Sequence, residues 1–141
     1  MSKDNDNPNI TPSTEASKTN KTQETVTFAL AQSHFLVGDI TANAEKMRAL
    51  ALQAREQGAD VIIFPELALL GYPPQDLLLR PSLSGRIKSA LSTLSDIDDI
   101  VMIVGYPHVD HHGTFNSAAI LHNGHQKGFY HKQILPNYGV F

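Results

Sequence analysis

Hydrophobic positions are nearly absent from the first 25 residues, then recur with two different periods. The stretch MSKDNDNPNITPSTEASKTNKTQET holds Ile10 as its only large aliphatic residue besides Met1. It cannot bury enough apolar surface to offset the entropy of ordering, so residues 1–25 are predicted to be a disordered polar tail. From Val26 the pattern changes. VTFALAQ, residues 26–32, is apolar at nearly every position and predicts a buried strand. After a loop through Gly38, Thr41 to Gln57 carries Ala44, Met47, Leu50, Ala51 and Ala54 at three- and four-residue spacing, with Gly58 as a left-handed stop. That spacing predicts an amphipathic helix. Val61 to Phe64 follows, short and uniformly apolar, and predicts a strand covered on both faces. Strand, helix, strand implies a crossover unit.

The pattern then repeats. Ser82 is placed to cap a helix with Leu83, Ile87, Leu91 and Leu94 on one face, and Ile100 to Val104 reads as another buried strand. Phe115 to His122 and Gln126 to Lys132 flank Asn123-Gly124, a dipeptide that tolerates the positive φ angles of a type I′ turn, so a β-hairpin is expected. A sheet with helices on one face, whose other face must be covered, implies a layered α/β architecture.

Composition narrows the function. The 141 residues carry 11 Lys plus Arg against 14 Asp plus Glu, a formal charge of -3 with no basic block, which argues against a nucleic-acid partner. No apolar run approaches the roughly 18 residues of a membrane span, and the N-terminus lacks a signal-peptide core, so a soluble cytoplasmic protein is expected. There is no cysteine, hence no disulfide, thiolate metal site or thiol nucleophile within these residues. His108, His111 and His112 in PHVDHHGT fit an exposed turn better than a metal site, which needs three convergent ligands. The other histidines, His34, His122, His125 and His131, read as isolated surface or packing residues, and no metal is expected.

Two residues carry possible chemistry. Glu66, in Phe64-Pro65-Glu66, lies at the carboxyl end of an apolar strand, where open α/β sheets form their ligand crevice. Poor hydration there would favour the neutral acid and raise its pKa toward values useful for proton transfer. On spacing alone, a Glu turned to solvent or capping a helix is the commoner outcome. Lys132, in Tyr130-His131-Lys132 at the far end of the hairpin, could sit beside that carboxylate and stabilise an oxyanion, although a solvated lysine has the same signature. Gly71-Tyr72-Pro73-Pro74 adds a stiff bend after Glu66.

FPELALLGYPPQDLLLR and YHKQILPNYGVF, together with AQ and VGDITANAEK, make residues 26–141 resemble the nitrilase, or carbon-nitrogen hydrolase, superfamily. GYPPQDLLLR and LPNYGVF point within it to the glutaminase domains of glutamine-dependent NAD synthetases. Ser33-His34-Phe35-Leu36 departs from an Asn-Pro pair frequent in that branch. The resemblance implies an αββα four-layer sandwich, of which this chain holds part, and a Glu-Lys-Cys triad that releases ammonia from glutamine. It makes Glu66 the general base and acid, Lys132 the oxyanion cation and Tyr138 a wall of the glutamine pocket. It further implies ATP, magnesium and deamido-NAD at a separate synthetase domain, and a homo-oligomer. Lacking the nucleophile, the chain alone is expected to be an inactive part of its parent, and poorly soluble or partly molten when expressed by itself. A free-standing nitrilase-type amidase and a non-catalytic assembly module are the other expectations.

Overall fold

The computed structural model describes residues 24–135. In chain order these form β1 (Phe28–Leu30), α1 (Ile40–Glu56), β2 (Val61–Ile63), a 3-10 turn (Gln75–Leu79), α2 (Leu83–Ser95), β3 (Val101–Asp110), β4 (Gly113–His122) and β5 (His125–His131). The strands make one five-stranded sheet in the order β1-β2-β3-β4-β5. β1, β2 and β3 are parallel, joined by the two helical crossovers, and β4 and β5 continue as antiparallel neighbours. A parallel pair needs a crossover, whereas Asn123 and Gly124, at φ +46° and +76°, turn β4 into β5 in two residues as the sequence predicts.

Strand residues alternate between two different environments. Ile62, Met102, Val104, Ala119 and Leu121 join Met47, Ala51 and Ala54 of α1 and Leu83, Ile87, Leu91 and Leu94 of α2 in one buried core. Full burial of each large side chain there contributes about 1.5–3 kcal/mol. The alternate residues face the other way. Leu30, Ile63, Ile103 and Ile120 stand side by side in register across four strands. Leu30 is 69% exposed, and Phe28, Ile120 and Tyr130 are exposed as well. The described residues thus form one α layer and one β layer with an open apolar face, half of a four-layer αββα sandwich.

That openness corrects two expectations. The strand predicted over residues 26–32 is a three-residue edge strand with Phe28 and Leu30 exposed, and β2 is covered on one face rather than both. Apolar residues at consecutive positions signal burial on both faces, and the helix-free face has no cover among the described residues. β3 runs to Asp110, six residues past its predicted end, because PHVD pairs with the start of β4 from His108↔Phe115 to Asp110↔Gly113. His111 and His112 make the turn, held by the Asp110 carboxylate, which accepts bonds from the His112 and Gly113 amides at 2.8 and 3.2 Å. Ser82 precedes α2 as expected, but its side chain makes no capping bond. Asp39 caps α1, accepting from the Ala42 amide at 3.1 Å.

The tail predicted over residues 1–25 falls almost wholly outside the described residues. Among those described, no helix is long and apolar enough to cross a membrane.

Candidate active site

Past β2 the chain turns sharply at Pro65–Gly71. Ala68 N donates to Pro65 O at 3.2 Å, and the Leu70 and Gly71 amides both donate to Leu67 O at 3.1 and 2.9 Å. Leu67 takes a positive φ of +53°, and Leu67, Ala68, Leu69 and Leu70 are all buried. The apolar run that follows Glu66 therefore anchors the turn in the core while Glu66 stays on the open face.

Two further residues fix this turn. Leu69 N donates to Gly105 O of β3 at 3.0 Å. A Cβ on Gly105 would lie 2.6 Å from Leu67 N, so a side chain there would force the turn off the strand. Asn43, fully buried on α1, accepts from Leu36 N at 2.8 Å and donates to Leu36 O at 2.7 Å and Leu69 O at 3.1 Å. It ties helix, β1–α1 loop and Glu66 turn together.

Lys132 immediately follows β5, and its amide extends the ladder by donating to Asn116 O of β4 at 2.8 Å. Its Nζ reaches Glu66 Oε1 at 2.8 Å across 66 residues of sequence. Asn116, itself buried, donates its side-chain amide to the same oxygen. The Glu66 and Lys132 side chains are 48% and 41% exposed. They line a cleft of about 370 Å³ on the helix-free face with Ile63, Gly105, Asn116 and Tyr130.

The electrostatics reverse the expectation for Glu66. Its carboxyl is held below the ordinary value of 4.5, chiefly by the hydrogen bond from Lys132 and further by the Asn116 bond and the Lys132 charge. Burial pushes the other way and loses. Sequence reasoning saw the apolar surroundings and a possible Lys132 cation that would keep Glu66 ionised, but could not weigh one against the other and did not see the Asn116 donor. The resting group is an anion, the form that accepts a proton. Because the folded pKa is depressed, the pair's stabilisation is present above the ordinary carboxylate value and is lost as pH falls through the depressed one.

The histidines also differ from expectation. His108 lies in β3, not in an exposed turn, with its ring stacked on Phe129 at a centroid distance of 5.3 Å. His131 is not isolated: it stacks on Phe115 and its Nδ1 lies 2.6 Å from Ser117 Oγ. Alternation along β5 sets this aromatic group on the face opposite Lys132. No group of three metal-ligating side chains exists among the described residues. Tyr138 lies outside the described residues.

Sequence reasoning missed Asn43, Gly105 and Asn116. The available signals were a polar residue on the apolar stripe of α1 and a glycine inside a strand pattern, which marks close backbone approach. Nothing distinguished Asn116 from any other strand asparagine.

An ionised carboxylate beside an ammonium in an open cleft can accept a proton and stabilise a developing oxyanion, and the 141 residues contain no cysteine that could serve as a thiol nucleophile. Known proteins resemble the chain in sequence and in fold. The chain is 47% identical over 115 residues to the glutamine-dependent NAD(+) synthetase of Acinetobacter baylyi, covering 81% of this chain and 21% of that protein. It is 43% identical to the Synechocystis enzyme of the same name, covering 82% and 22%. The chain therefore spans about a fifth of the length of the curated relatives it matches. Among solved structures, glutamine-dependent NAD+ synthetase from Acinetobacter baumannii superposes with a TM-score of 0.76 at 48% identity, over 81% of this chain and 22% of that one. An amidase from Nesterenkonia gives 0.70 at 26%, over 81% and 44%. The carbon-nitrogen hydrolase profile matches residues 27–140, a range that contains both members of the Glu66–Lys132 pair, and the chain belongs to the carbon-nitrogen hydrolase family.

Proposed function

We propose that residues 26–141 are the first part of a glutaminase domain in a glutamine-dependent NAD synthetase, and that Glu66 and Lys132 are two members of its catalytic triad. The observation that carries this reading is the 2.8 Å contact between Lys132 Nζ and Glu66 Oε1, made by a residue that follows β2 and one that follows the edge strand β5. Curated NAD synthetases from 35% to 47% identical to this chain, against 26% for the amidase, favour the synthetase branch over a free-standing amidase.

The chemistry follows from the charges. Glu66, as an anion, takes the proton of a cysteine thiol supplied from outside these 141 residues. The thiolate sulfur attacks the side-chain amide carbon of glutamine, and the carbonyl electrons move onto oxygen. Lys132 faces that oxyanion, and donors already in place for developing charge are usually the largest catalytic contribution. Collapse breaks the C–N bond, with Glu66 returning its proton to the departing ammonia. Water, deprotonated by Glu66, then adds to the thioester carbon; the C–S bond breaks, glutamate leaves, and the expelled thiolate takes the proton back from Glu66. In a mutant of the Nesterenkonia amidase the active-site cysteine carries the acetamide moiety of fluoroacetamide, so the cysteine of that protein acts as a nucleophile. Tyr138 would wall the glutamine pocket. The released ammonia would amidate deamido-NAD at a synthetase domain using ATP and magnesium, and the parent would work as a homo-oligomer. By itself the 141-residue chain is expected to hydrolyse no glutamine.

Glu66→Gln in the full-length protein tests this, with glutamine and free ammonia assayed separately as nitrogen donors. Glutamine-driven synthesis should fall selectively, by about 10²- to 10⁴-fold. Equal loss with both donors would contradict the assignment.

A further inference from the structure

We infer that Asn116 is a positioning residue for this reaction, its side chain aiming the Glu66 carboxylate while its main chain holds Lys132 beside it. The inference rests on the glutaminase reading and extends it. Asn116 is buried on β4, and its Nδ2 donates to Glu66 Oε1, the oxygen that also receives Lys132 Nζ. A carboxylate only accepts, so the amide nitrogen is the atom that faces it. On the opposite side of the same residue, the Asn116 carbonyl accepts from Lys132 N at 2.8 Å. One residue therefore bonds both members of the pair, by two different groups.

The residue type suits the task. An amide donor is neutral at every working pH, so it orients Glu66 without competing with Lys132 for the role of cation. Alanine could not donate, and aspartate would put a second anion beside the first. With both donors on Oε1, the other carboxylate oxygen has no hydrogen bond among the described residues and is the one able to exchange a proton. Of the elements lining the cleft, β3 contributes Ile103 and Gly105 with no charge, β4 contributes Asn116 and Ala118, and β5 contributes Tyr130 ahead of Lys132. Lys132 is thus the charged group facing Glu66 among the described residues that line the cleft. A core asparagine serving packing alone would not spend its donor on a half-exposed carboxylate.

The test measures kcat and KM for glutamine against pH in the full-length protein, for Asn116→Ala and Asn116→Asp beside Glu66→Gln. Loss of aim should lower kcat about 10- to 100-fold with KM nearly unchanged. Removing a donor to the charged form raises the Glu66 pKa, so the acid limb of the profile should move to higher pH, and further for the aspartate, which keeps the side chain's shape but repels. An unmoved acid limb in Asn116→Asp, or kcat and KM changing in parallel in both variants, would overturn the inference. If Glu66→Gln leaves the glutamine reaction intact, the glutaminase reading itself fails; if it abolishes that reaction while the Asn116 variants behave as wild type, only the positioning role fails.

Discussion

Replacing Lys132 with methionine should lower glutamine-driven synthesis by about 10³-fold, at the upper end of what loss of one oxyanion donor costs. The effect has two sources. The cation that faces the developing oxyanion disappears, and Glu66 loses the partner whose hydrogen bond and charge hold its pKa down. Burial, which now opposes that lowering, would then dominate and move the carboxyl upward. Part of the remaining activity should therefore return as pH rises, and the acid limb should shift the same way as in the Asn116 variants. Lys132→Arg should recover little, because a planar guanidinium does not place a point charge where the ammonium sits. A Lys132→Met protein with wild-type glutamine kinetics would remove Lys132 from the mechanism.

Asn43→Ala should lower stability by about 1–3 kcal/mol, read from the urea midpoint of this domain's transition. Truncation leaves the buried Leu69 carbonyl without its side-chain partner, at a cost of roughly 1–3 kcal/mol, while the Leu36 groups sit on a half-exposed residue whose carbonyl still accepts from Asp39 N at 3.4 Å. The better helix propensity of alanine returns only about 0.7 kcal/mol. Since Leu69 belongs to the turn that carries Glu66, kcat for glutamine should fall as well. Asn43→Asp should be no milder, because it keeps the acceptor for Leu36 N but replaces two donated bonds with a buried negative charge. A midpoint shift equivalent to under about 0.5 kcal/mol, typical of surface substitutions, would show that Asn43 does not anchor the turn.

The alternation of strands and helices was legible because each element follows a clear period: Met47, Ala51 and Ala54 on α1, and Ile62 and Met102 on the strands that meet them. The Asn123-Gly124 turn was legible for a different reason, since few dipeptides accept two positive φ angles. The extent of β3 was not. Its last residues, Pro107 to Asp110, are ordered by a ladder to β4 that the local sequence does not announce. The exposed face was misread in β1 and β2, because a local window sees apolar residues but not whether a second layer covers them.

The site divides in the same way. Glu66 stood out as a candidate from its position after an apolar strand, although spacing alone favoured a Glu turned to solvent. Lys132 beside that carboxylate was one possibility, equal in signature to a solvated lysine, because nothing local shows that residue 132 returns to residue 66. The charge state of Glu66 was misjudged: one residue's surroundings suggested a neutral acid, while two donors from β4 and the end of β5 make it an anion. Long-range hydrogen bonds decide such cases, and they are a property of the fold rather than of the neighbourhood in sequence.

The most direct measurement is peptide mapping by mass spectrometry after the full-length protein is exposed to a glutamine analogue bearing an electrophilic carbon in place of the amide nitrogen. The expected result is one glutamine-protectable adduct on a single cysteine, formed at least about tenfold more slowly when Glu66 is glutamine or Lys132 is methionine. Labelling at an undiminished rate in both variants, or no adduct on any cysteine, would contradict a base and a cation that meet in this cleft to activate a thiol.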